Sequence, residues 1–91
     1  MVIYPGQIAI SLAGRDKNKY FVVLDVVDNI FCHISDGRTR KVDAPKKKKI
    51  KHLRLTEHSL LNVKRKIEAG EPVTNSIIKR ELKTFLDNQG C

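Results

Sequence analysis

Lys46, Lys47, Lys48 and Lys49 stand in an unbroken run, and Lys51, His52 and Arg54 extend it. Residues 46–54 thus hold six permanent cations and no acid. Elsewhere the charge nearly cancels: residues 1–45 carry six Lys/Arg against five Asp/Glu, and residues 55–91 again six against five. Most of the net +8 on this 91-residue chain therefore sits in one short strip. Adjacent ammonium groups repel one another and gain most from a bound polyanion, whose condensed counterions they release. His52, inside the strip, can add a phosphate contact. A second basic group, Arg15, Lys17 and Lys19, directly follows Gly14, whose missing side chain lets the backbone turn sharply or approach a ligand closely. Arg38, Arg40 and Lys41 form a third group. Arginine adds bidentate phosphate contacts and stacking to the point charge of lysine.

The remaining chemistry-bearing residues do not assemble into a catalytic or metal pattern. His33, His52 and His58 lack ligand spacing, and there is no CxxC or HxxxH. His33 follows Cys32 and points to the opposite face of a strand. Asp25, Asp28 and Asp36 lie near strand ends and turns, where turn chemistry explains two of them. Residues 14–17, Gly-Arg-Asp-Lys, lack the second glycine and the Lys-Ser/Thr pair of a P-loop. No nucleophile has a base partner. The expectation is a protein with no enzymatic activity, no metal site and no cofactor. Cys32 and Cys91 are not expected to form a disulfide. The N-terminus lacks the basic and apolar regions of a signal peptide, and no apolar run approaches the ~20 residues of a membrane span. The lysine run has no adjacent amphipathic anchor for a membrane surface. A cytoplasmic location is expected.

A mainly β first half must position these cations. Residues 7–12 alternate, with Ile8, Ile10 and Leu12 on one face of a half-buried strand. Residues 13–19 form a polar loop. Residues 20–27, rich in β-branched and aromatic side chains, predict a more buried strand. Asp28-Asn29 marks a turn, and residues 30–35 predict a third strand. Asp36-Gly37 signals a tight hairpin, with residues 38–42 returning. A two-residue loop sets His33 opposite Arg40 and Ser35 opposite Arg38; a longer loop changes that register. Residues 50–55 predict a fifth short strand, with Leu53 and Leu55 in step. Five short strands in so few residues suggest a small SH3-like barrel.

The period then changes. Leu60, Val63 and Ile67 recur at helical spacing, and Gly70 suits a C-terminal cap. Thr74 can cap a second helix lined by Ile78, Leu82 and Phe85, with Leu86 beside them. Residues 60–69 and 75–87 predict a helical hairpin packed on itself or on the barrel. The division is therefore a barrel with its basic strip over residues 1–55 and a two-helix tail over 56–91.

Residues 7–19 (Gln-Ile-Ala-Ile-Ser-Leu-Ala-Gly-Arg-Asp-Lys-Asn-Lys), running into Tyr20-Phe21-Val22-Val23-Leu24-Asp25-Val26, resemble a KOW motif: an alternating strand, a glycine, a basic loop and an apolar strand. The chain is similar to small KOW-domain RNA-binding proteins and, through them, to a KOW-containing large-subunit ribosomal protein. The resemblance covers roughly residues 3–55. It implies an SH3-like barrel whose first loop and neighbouring basic surface touch RNA. By position Gly14 matches the motif glycine, and Arg15, Lys17 and Lys19 match its basic loop. The helical tail is less typical of isolated KOW domains.

The function expected is non-catalytic RNA binding. Gly14, Arg15, Lys17, Lys19, Arg38, Arg40, Lys41, Lys46, Lys47, Lys48, Lys49, Lys51, His52 and Arg54 are the contact candidates. The partner expected is ribosomal or other structured RNA, with ribosomal proteins as further neighbours. Aromatic residues are scarce, which favours structured RNA read through its backbone and shape. Phe21, Phe31 and Phe85 are assigned to the core, leaving Tyr4 and Tyr20 as stacking candidates. Two alternatives stay open: a protein-interaction KOW module, and a helix-turn-helix DNA binder presenting Lys79, Arg80 and Lys83.

Overall fold

The computed structural model describes residues 2–89. Five strands, β1 (Gln7–Ser11), β2 (Tyr20–Val26), β3 (Phe31–Ser35), β4 (Lys46–Lys49) and β5 (Leu53–Ser59), precede two helices, α1 (Leu61–Glu68) and α2 (Asn75–Gln89). The strands form one antiparallel sheet in the order β4-β3-β2-β1-β5. A small mixed α/β protein results. Cys91 lies outside the described residues, and with it the expectation about a Cys32–Cys91 bridge.

Strand alternation divides the apolar residues into two clusters, one on each side of the sheet. Ile8 of β1 and its partner Val22 of β2 join Leu60, Val63, Ile78 and Leu82, so both helices pack on this side and on each other. Ala9, Phe21, Val23, Cys32, Ile34 and Leu53 make the second cluster, with Ile3, Ile50 and Leu55 packed against it. β1 is therefore covered on both faces rather than half-buried, and even its polar Gln7 and Ser11 are fully enclosed. Gln7 meets the cost of burial by donating from Nε2 to the Thr56 carbonyl at 2.9 Å and accepting the Tyr4 amide at Oε1. Leu12, expected on the apolar face, lies past the strand end and is exposed.

Two strand expectations give way, the start of the fifth strand and the Asp36-Gly37 hairpin. The sheet is not closed: β4 and β5 are its edges, joined by a single 3-10 turn, Ile50–His52, in place of the start of the expected fifth strand. That turn is held at both ends, by Ile50 N–H donating to the Ile30 carbonyl and Leu12 N–H donating to the His52 carbonyl. The two-residue Asp36-Gly37 hairpin does not form either. Asp36 Oδ1 accepts the amides of Arg38 and Arg40, each at 2.9 Å, and Oδ2 accepts the Thr39 hydroxyl. One carboxylate thereby winds residues 36–40 into a loop, and residues 38–42 are no strand. Consequently His33 faces Lys47 and not Arg40, and Phe31 faces Lys49.

The lysine run itself is the edge strand opposite β3. Lysine has little strand preference, but on an open edge it discourages pairing with another chain.

The tail's ends are set locally. Glu71 N–H donates to the Lys66 carbonyl and Gly70 N–H to that of Ile67, a Schellman closure with Gly70 in the left-handed region. Thr74 Oγ1 accepts the Ile77 amide at the start of α2.

Candidate nucleic-acid interface

Three of the segments that carry the predicted site residues are tied together. Lys48 Nζ donates to the Ala13 carbonyl at 3.1 Å, linking β4 to the loop between β1 and β2. Arg40 Nε and Nη2 both donate to Asp16 Oδ2, at 3.1 and 3.0 Å, linking the 36–45 loop to that same loop. Asp16 is nearly buried there. The loop is also braced internally: Asn18 N–H donates to the Ser11 carbonyl at 2.7 Å and Lys19 N–H to that of Asp16 at 3.0 Å. Gly14, at φ +77°, lies in the open near the Lys48 ammonium. Arg15, Lys17, Lys19, Arg38 and Lys41 are exposed from these braced loops.

The 36–45 loop is held from its other side by α2. Asn75 Oδ1 accepts the Val42 amide at 2.8 Å. Gly37, at φ +75°, sits so close to α2 that a Cβ there would lie 2.6 Å from the Asn75 carbonyl oxygen. Burial pulls the Asp36 carboxyl upward, but hydrogen bonds from Arg40, Arg38 and Thr39 outweigh it and hold the group below the usual carboxylate range. Asp28, at the β2–β3 turn, is lowered by the amides of Phe31 and Ile30.

The lysine strand does not present one uniform face. Lys46 and Lys48 pair with the buried Ile34 and Cys32, so their stems leave the sheet on the side of the second cluster. Lys48 is half-buried and snorkels to Ala13, whereas Lys46 is exposed. Lys47 and Lys49 project from the other side with His33 and Phe31. Lys47 Nζ stands 4.7 Å over the Phe31 ring, and His33 Nδ1 lies 2.7 Å from Asp25 Oδ1. Phe31 is thus half-buried under a lysine and outside the core. Cys32 is buried, and desolvation, with the nearby Asp25 charge, pushes its thiol up to about 11. It stays protonated at neutral pH.

Arg54 stands apart. It pairs with Ile10 and lines a cavity on the helix side with Tyr20, Glu57, His58 and Phe85. Tyr20 packs against Phe85 with centroids 6.2 Å apart, and Tyr4 lies under Lys64. Lys51 and His52 occupy the 3-10 turn.

One contributing residue escaped the sequence reading: Asp16, acidic among basic neighbours, is the anchor for Arg40. Lys79 and Lys83, named from the sequence only for the helix-turn-helix alternative, share a groove with Lys19 and Arg38.

Among the described residues no group of three or more His, Cys, Asp or Glu is placed to hold a metal ion, and no helix is long and apolar enough to cross a membrane. No family model matches the chain, and no curated protein shows significant similarity to it.

Proposed function

We propose that this chain is a non-catalytic RNA-binding protein of KOW type, associated with ribosomal or other structured RNA in the cytoplasm. The observation that carries the reading is the tying of three basic segments to one another through Lys48–Ala13 and Arg40–Asp16. Cations far apart in sequence are thereby held on neighbouring, braced backbone. Such an array suits a polyphosphate, whose charges are likewise held on one backbone. Arg40 acts in this reading by positioning the loops, and Arg15, Lys17, Arg38, Lys41 and the lysine strand meet phosphates. The finer fold reading, an SH3-like KOW barrel, belongs to the same proposal. Its support is the second apolar cluster, to which neither α1 nor α2 contributes a residue, together with the single 3-10 turn that joins the two edge strands.

The test is a salt titration of binding to a labelled RNA stem-loop. If six basic residues engage, log affinity falls with log salt at a slope of roughly −4 to −5. Replacing Lys46, Lys47, Lys48 and Lys49 by Gln should preserve the fold and flatten that slope by about 3. A wild-type protein with no salt slope, or a four-Gln variant that binds as well as wild type, overturns the proposal.

A further inference from the structure

We infer that the groove between α2 and the β-domain loops is a second phosphate-binding stretch of the same RNA footprint, so that the helical tail meets nucleic acid directly. The inference rests on the RNA-binding reading above and extends it from the lysine strand and the loops to α2.

The groove encloses about 500 Å³. Its cations come from three separate parts of the chain: Lys19 at the end of the first loop, Arg38 on the 36–45 loop, and Lys79 with Lys83 on α2. Lys79 and Lys83 lie four residues apart, on one face of the helix. Folding therefore gathers four cations and two carboxylates around one concavity. The excess of positive charge favours an anion lying between the cations.

Two acids also line the groove, and they reduce that attraction without cancelling it. The Asp36 oxygens already accept Arg38 N–H, Arg40 N–H and the Thr39 hydroxyl, so that carboxylate is committed to its own loop. Asp87 Oδ2 holds Lys83 Nζ at 2.9 Å, but both side chains are well over half exposed. A solvent-exposed i, i+4 pair of this kind is weak, and a phosphate can take the lysine over. Tyr20, Leu82 and Leu86 supply an apolar wall. Leu86 remains substantially exposed although it adjoins the helix's packed stripe. An apolar wall beside convergent cations lowers the local dielectric and strengthens each phosphate contact.

The groove also continues the proposed surface. Lys19 and Arg38 project from the two loops that Asp16 and Arg40 latch together. The same α2 that contributes Lys79 and Lys83 holds the 36–45 loop through Asn75 and its close approach to Gly37. One helix both shapes the loop and completes the charge array.

The experiment compares the full chain with Lys79→Gln/Lys83→Gln, using fluorescence anisotropy of a labelled RNA stem-loop across a salt series. Arg65→Gln/Lys66→Gln on α1, which is not part of the groove, is the charge-matched control. The groove variant should weaken binding and reduce the steepness of the salt slope by roughly 1.4–1.8, the contribution of two phosphate contacts, while the control keeps the wild-type slope. If the groove variant keeps the wild-type slope and affinity, or if the control loses as much, the inference is overturned and RNA binding by the β-domain stands. If the wild type itself shows no salt-dependent binding, the parent reading fails and takes the inference with it. Should the double variant melt below the assay temperature, Asp87→Asn decides. It releases Lys83, so tighter binding than wild type supports the groove and unchanged binding overturns it.

Discussion

Asp16 Oδ2 receives both Nε and Nη2 of Arg40, at 3.1 and 3.0 Å, across 24 residues of chain. The carboxylate side chain is 8% exposed and the guanidinium 32%. The contact is therefore a partly enclosed latch between two loops, one that excludes much of the water that would screen a surface pair. Its geometry turns a positively charged candidate contact residue into a structural element.

Removing Arg40 leaves the Asp16 carboxylate enclosed without its two charged donors. Arg40→Ala should lower stability by about 1–3 kcal/mol, whereas Arg38→Ala, at an exposed position, should change it by less than about 0.5 kcal/mol. Urea unfolding followed by circular dichroism measures both. Equal stabilities for the two variants would show that the latch contributes nothing.

Lys48 is expected to stabilise the first loop, unlike its neighbour Lys47. Lys48→Met keeps the aliphatic stem but removes the donor to Ala13. Hydrogen exchange at the Lys17 amide, which donates to the Gly14 carbonyl at 3.2 Å, should quicken in this variant. Lys47→Met should leave that amide at its wild-type rate.

Gly37 and Gly70 both have positive φ, but only Gly37 is crowded. Gly37→Ala should cost about 2–3 kcal/mol, because the left-handed strain is joined by a clash with the Asn75 carbonyl. Nothing lies within 4 Å of a Cβ at Gly70, so Gly70→Ala should cost about 1 kcal/mol. Thermal melts of the two proteins should therefore rank Gly37→Ala as clearly the less stable.

Asp36 gives the fold an acid-sensitive element. Its folded pKa lies below its ordinary value of 3.8, so the folded state binds fewer protons than the unfolded chain as the pH falls. The stabilisation it supplies is present above about pH 4 and is lost as the pH drops through the depressed folded value. Asp36→Asn should be less stable than wild type at neutral pH, and the difference should narrow on acidification. Denaturant midpoints measured along a pH series test the sign: a gap that widens in acid would refute it.

What the sequence determined by itself is what depends on neighbours along the chain. The strands at Gln7–Ser11 and Tyr20–Val26 follow from apolar and β-branched runs. The helices follow from their spacing, with Thr74 and Gly70 at the ends, because capping bonds span only a few residues. The excess of charge at 46–54 is likewise a property of composition. Tertiary structure decided the rest. Asp36-Gly37 reads as a hairpin turn, yet the Asp36 carboxylate captures the next residues while Asn75, far along the chain, fixes Val42. The lysine run carries no alternation, so only its pairing with β3 makes it a strand and sends its cations to two sides of the sheet. The meeting of Lys19 and Arg38 with Lys79 and Lys83 in one groove also has no local signature. A hydrogen bond or shared concavity between distant segments depends on how whole elements pack, and local residue preferences do not encode it.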